Sequence, residues 1–140
     1  MKTQRFIIIL FALTFVFAPQ SFRTATAEPI ALRYRAELIS PKAGEVLEPG
    51  QVVTVEWTSV LPDMDLSLCE TEIRLSLDGG RTFTWITGER DPRTKYFDWT
   101  VPNTPTNAAV LDIHFGCLGY YPETQSLQVQ SAFVISALNN

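Results

Sequence analysis

Thr71-Glu72-Ile73-Arg74-Leu75-Ser76-Leu77-Asp78-Gly79-Gly80-Arg81 alternates apolar and polar side chains, then turns. Successive side chains of an extended chain point to opposite faces. Ile73, Leu75 and Leu77 are therefore expected inward, and Glu72, Arg74 and Ser76 outward. The Asp-Gly-Gly that follows is hairpin-turn chemistry, because glycine takes the backbone angles such turns need.

The same pattern extends in both directions. Val53, Val55 and Trp57 share a face within 52–57, and Thr54 and Glu56 take the other. Leu111, Ile113, Phe115 and Cys117 share a face within 110–117, which leaves Asp112, His114 and Gly116 outward. Residues 32–39, 82–87, 96–101 and 132–136 complete seven expected strands. Pro and Gly fall between them, and Thr, Val, Ile and aromatic residues fill them. No segment carries a helical apolar stripe, and no repeat is visible. The fold class expected is all-β: a seven-stranded immunoglobulin-like β-sandwich, with one wet and one buried face per strand.

The amino-terminal segment has a different character. Lys2 and Arg5 precede Phe6-Ile7-Ile8-Ile9-Leu10-Phe11-Ala12-Leu13-Thr14-Phe15-Val16-Phe17-Ala18, 13 residues without a charge. Ala25-Thr26-Ala27 then offers the small-x-small pattern of a signal peptidase site. A spanning helix needs about 20 residues, so a cleaved signal peptide over 1–27 is the expectation, rather than a membrane anchor or a buried helix. Residues 28–140 are then a single domain, and no stable membrane insertion is expected after cleavage. Cleavage removes Lys2, Arg5 and Arg23 and no acid, leaving 8 basic against 15 acidic residues, a net charge of −7. Such a field disfavours nucleic acid and anionic lipid as partners. The expected location is secreted: extracellular, cell-surface or periplasmic.

Export also bears on Cys69 and Cys117, the two cysteines of the chain. A secreted chain with one pair suggests one disulfide, worth roughly 3–4 kcal/mol by chain entropy. The alternative is two buried thiols. In the expected sandwich the third and sixth strands are antiparallel neighbours, with Cys69 just before one and Cys117 at the end of the other.

The order of motifs carries a resemblance. Ile39-Ser40-Pro41-Lys42-Ala43-Gly44, Glu48-Pro49-Gly50-Gln51 and Val53-Thr54-Val55-Glu56-Trp57 come first. Ile73-Arg74-Leu75-Ser76-Leu77-Asp78-Gly79-Gly80, Phe97-Asp98-Trp99-Thr100-Val101-Pro102 and Ala132-Phe133-Val134-Ile135 follow. Together they resemble the secreted immunoglobulin-like or fibronectin-III-like N-terminal domain of yeast cell-wall β-glucan assembly proteins and its bacterial relatives. The likeness runs over residues 38–136 and implies an accessory, surface-exposed, non-catalytic module. In physical terms Trp57 and Trp99 are large core plugs at strand ends.

Little in the sequence points to catalysis, a cofactor or a metal. His114 is the one histidine and is expected on the outer surface. A zinc site generally needs more His or Cys ligands. Asp63, Asp65, Glu70 and Glu72 offer oxygen ligands for calcium without a recognised loop pattern, so a solvated acidic loop is expected. Ser76-Leu77-Asp78-Gly79-Gly80-Arg81-Thr82-Phe83 matches the Asp-box pattern, in which the Asp is expected to bond its own turn.

The loops are the candidate site. Residues 58–70, 88–95 and 118–131 are expected to emerge at one end of the sandwich. Leu61, Met64, Arg90, Arg93, Tyr120 and Tyr121 are the expected contacts, with the apolar ones either binding or folding over the core. The partner expected is a protein or polysaccharide at the cell surface or outside the cell. Carbohydrate binding in a cell wall or extracellular matrix, through Trp85, Tyr120 or Tyr121, is one alternative. A structural subunit of an extracellular assembly, joined by strand addition, is another.

Overall fold

A computed structural model describes residues 34–138. The expected signal peptide, 1–27, lies outside the described residues. The chain is all-β, with nine strands and one short 3-10 turn, Val129–Ser131, among the described residues. The strands are β1 (Arg35–Ser40), β2 (Val46–Leu47), β3 (Val52–Val60), β4 (Cys69–Ser76), β5 (Thr84–Trp85), β6 (Tyr96–Thr100), β7 (Thr106–Cys117), β8 (Tyr120–Thr124) and β9 (Phe133–Ile135). One sheet has the order β1-β3-β6 and the other β2-β9-β7-β4-β5, with β8 added to β7.

The core forms between the two sheets. Val55, Trp57, Phe97 and Trp99 enter from the first, and Ile73, Leu75, Leu111, Ile113, Phe115, Phe133 and Ile135 from the second. Trp57 meets Phe97 edge-on, Trp99 meets Phe133 edge-on across the sheets, and Tyr34 stacks on Phe115 at 4.7 Å. The expected inward sets of β3, β4 and β7 are thus the observed core, with one exception. Leu77 is 37% exposed, because β4 stops at Ser76 and Leu77 already belongs to the turn.

The expected strand count falls short by two. β2 is two residues long and exists because Val46 and Leu47 pair in parallel with Val134 and Ile135 of β9. β8 lies inside the stretch read as a loop. Pro122 is tolerated there as it would be on any strand outside a central ladder position. The run 82–87 shortens to Thr84–Trp85, the pair that meets Leu75 and Arg74.

The long strand β7 organises this half of the molecule. One edge pairs with β4 in continuous register from Val110 to Cys117. Its other edge takes β9 at Thr106 and Ala109, Leu127 opposite Asp112, and β8 at Phe115 and Cys117. The chain after Cys117 therefore folds back along β7. Ser126 and Glu123 from that return, with Arg74 and Trp85, close over the face expected to be wet. Asp112 is fully buried and His114 is only 6% exposed, so the surface histidine expected from alternation is a buried one. Alternation reports which face a side chain takes, not what later covers that face.

The returning segment also joins the two sheets. Gln128, fully buried, accepts from Leu38 N and donates to Ala36 O and Ser126 O. Ser126 adds its hydroxyl between Ala36 N and Ala36 O. Side chains here satisfy backbone groups of β1 that another strand would otherwise pair.

Candidate functional site

The three expected loops meet at one end of the molecule. They enclose an open cleft of about 510 Å³ lined by Ser67, Leu68, Cys69 and Glu70, by Glu89, Arg90 and Asp91, and by Cys117, Leu118 and Glu123. Each loop is anchored close to the cleft. Cys69 and Cys117 are direct partners in the β4–β7 register and form the disulfide. Leu118 N donates to Leu68 O at 2.8 Å just beyond it. Thr71 and Arg90 exchange backbone hydrogen bonds of 2.9 and 3.1 Å, which tie the 88–91 segment to β4. A braced surface loses less conformational entropy when it binds.

The expected contacts divide between cleft and core. Leu61 and Met64 pack, half-buried, against the core, and Leu66 between them and the cleft is buried. Leu68 and Leu118 instead project, 64% and 72% exposed, beside each other just beyond the disulfide. Arg90 lines the cleft with its guanidinium 5.1 Å over the Phe97 ring. Arg93 stands apart, exposed and paired with Asp91 at 3.5 Å. Lys95 donates to Ser59 and to Pro92 O, so it leaves the cleft as well. Tyr120 and Tyr121 open β8; their side chains lie outside the described part of the structure.

The expected contacts left out Leu68 and Leu118, and the acidic stretch expected around Glu70 is joined in the cleft by Glu89, Asp91 and Glu123. Glu70, Glu89, Asp91 and Glu123 line it, and among the described residues Arg90 is the one cation in the lining. Burial raises the Glu70 carboxyl above its ordinary range, helped by Glu89, Glu72 and Glu123. Burial raises Glu72 too, with His114 opposing and Glu123 and Glu89 adding to the shift. Asp63 and Asp65 do not join them. Asp65 accepts from Ser67 N at 2.9 Å, and that bond holds its carboxyl below the usual range. Among the described residues no three His, Cys, Asp or Glu side chains are grouped to hold a metal ion.

Behind the acidic wall lies a buried polar chain. Asp112 Oδ2 accepts from Arg74 Nε at 2.9 Å and from Nη2, and Oδ1 accepts from Ser126 N at 2.7 Å. Burial alone raises an acid, yet His114, Arg74 and Ser126 together hold Asp112 below its ordinary value. His114 Nε2 is 2.7 Å from Glu123 Oε2, and Nδ1 is 3.6 Å from Asp112 Oδ2, in ion-pair range but too long for a direct hydrogen bond. Arg74 sits 5.0 Å from both the Phe83 and Trp85 rings, and Trp85 meets His114 edge-on at 5.4 Å. Trp85 remains 48% exposed.

The Asp78 hairpin works as expected of a turn. Asp78 accepts from Ser76 Oγ, Arg81 N, Thr82 N and Thr82 Oγ1, with Gly79 and Gly80 at positive φ. No protein-family model matches this chain, and no curated protein matches it.

Proposed function

We propose that the chain is a secreted, non-catalytic module of immunoglobulin-like β-sandwich type that binds another macromolecule through the cleft end. The observation that carries this reading is the convergence of three loops, each tied to β4 or β7, around a cleft flanked by Leu68 and Leu118. Large apolar side chains held out on braced loops favour a contact surface. The strand orders β1-β3-β6 and β2-β9-β7-β4-β5 agree with the sandwich type, with β4 and β7 as central neighbours. A disulfide is what an oxidising compartment favours, and among the described residues no helix is long and apolar enough to cross a membrane. The resemblance to cell-wall assembly modules points to the same setting.

Affinity capture from the native exoproteome with residues 28–140, compared with the variant Leu68→Asp with Leu118→Asp, tests this. A partner retained by the native chain and lost from a variant of equal melting temperature supports the reading. Equal retention by both removes the cleft from it.

A second reading, carbohydrate binding, is favoured by Trp85. Its indole is exposed yet fixed by Arg74 and His114, as a platform for a sugar ring would be. A glycan array with native and Trp85→Ala protein tests it, and absence of any polysaccharide signal removes it.

A further inference from the structure

We propose that His114 is a pH-sensitive latch that holds β8, and with it the Glu123 wall of the cleft, against β7 while the imidazole is protonated and releases it as pH rises. The latch is a matter of the fold; its effect on binding rests on the cleft being the working surface.

His114 stands between two carboxylates, Glu123 at Nε2 and Asp112 at Nδ1. An imidazolium donates from Nε2 to Glu123 and turns its second N–H toward Asp112, in ion-pair range but beyond hydrogen-bond distance. A neutral imidazole loses the positive charge that both carboxylates face, so the contact with Glu123 is no longer charge-assisted and one ring nitrogen turns a lone pair toward a carboxylate. Asp112 cannot be the one to move. It is fully buried and fixed by Arg74 and the Ser126 N–H. Glu123 has a side chain 39% exposed and belongs to the strand outside the main sheet path. β8 pairs with β7 at Phe115–Thr124 and Cys117–Tyr120, with an irregularity between. Gly119, at φ 84°, sits at the turn that would act as the hinge. Glu123 reaches the imidazole by crossing Gly116, where a Cβ would meet its side chain at 3.1–3.2 Å.

The charges around His114 push the same way. On its own strand it faces Asp112; on β4, Glu72 lies directly opposite and Arg74 and Glu70 lie on either side. β8 supplies Glu123, β5 supplies the uncharged Trp85, and Glu89 adds its charge to Glu70 and Glu72. Arg74 is committed to Asp112. Once the imidazole is neutral, Glu123 is left among carboxylates. The His114 pKa is raised above 6.5 by Asp112 first and, against burial, by Glu123. A raised histidine stabilises the closed state fully below its unfolded pKa and loses that contribution as pH rises through the folded value.

The test uses disulfide-bonded residues 28–140 and needs no partner. His114 is the only histidine, so one imidazole signal reports it by NMR. The expected midpoint lies above 6.5, and the Glu123 and Thr124 amides shift with that same midpoint. Hydrogen exchange of those amides, corrected for intrinsic base catalysis, rises above the midpoint about tenfold for each unit by which the closed strand raises the pKa. Glu123→Gln lowers the midpoint and removes the β8 transition. Gly116→Ala, which keeps every titrating group and displaces Glu123, also lowers the midpoint and guards against loss of folding in the first variant. β8 amides that stay unmoved while His114 titrates, or a midpoint at or below 6.5, overturn the proposal. Failure of the Leu68 and Leu118 variant to lose a partner would sink the binding reading and leave this titration intact.

Discussion

At the scale of the residue, Asp78 shows how much a local pattern conveys. One carboxylate accepts four hydrogen bonds from within five residues, the Thr82 backbone bond foremost, and its pKa falls well below the ordinary value. A depressed acid contributes stability above its unfolded pKa of about 3.9 and loses it as pH falls toward the folded value. Asp78→Asn is therefore expected to lower the melting temperature at pH 7, by a margin that narrows below about pH 4. Thermal melts of both proteins from pH 7 to 2 check this, and a margin constant across the range contradicts it. This site was legible because Ser76, Asp78, Gly80 and Thr82 interact with near neighbours in sequence. His114 was not legible. Its partner Glu123 comes from a strand that turns back over it, and nothing in the alternation of 110–117 announces a cover. Leu68 and Leu61 show the same limit: both are loop leucines, and only the closed fold decides which one projects.

At the scale of the element, strands with an apolar or aromatic run of their own were readable, even the short β6 and β9, and a strand defined only by its partner was not. β2 has two residues and owes its existence to β9. The pairing of β4 with β7 was legible because two independent features, the alternation and the cysteines, point to one register. The bridge closes a separation of 48 residues at the cleft end of that ladder. Replacing both cysteines by serine is expected to cost roughly 3–4 kcal/mol in urea melts. Unchanged stability would mean that the cleft end is ordered without it. Gln128 joins elements rather than lying within one. Gln128→Leu leaves Leu38 N–H without its acceptor, and a cost of about 1–3 kcal/mol is expected. Ser126→Ala likewise leaves Ala36 N–H without its acceptor, while Gln128 still serves Ala36 O, and a cost of about 1–3 kcal/mol is expected in the same melts.

At the scale of the whole molecule, the two-sheet arrangement and the place of the loops follow from strand direction, which the pattern conveyed. The charge balance followed from composition alone. What the pattern hid was the double use of β7, whose second edge carries β9, the Leu127 bridge and β8 in turn. A signal peptide over 1–27 predicts that protein recovered from its native setting begins at Glu28, as amino-terminal sequencing would read; a chain still beginning at Met1 or Lys2 contradicts it. The stitch made by Gln128 and Ser126 has a further consequence, one of timing. β1 is the first of the described strands, yet its edge is closed by residues more than eighty positions later, and β2 likewise waits for β9. A chain threaded through a pore with its amino end leading therefore reaches the far side with its earliest strands unfinished. Its leading and trailing parts can be clasped together only once the last stretch has passed.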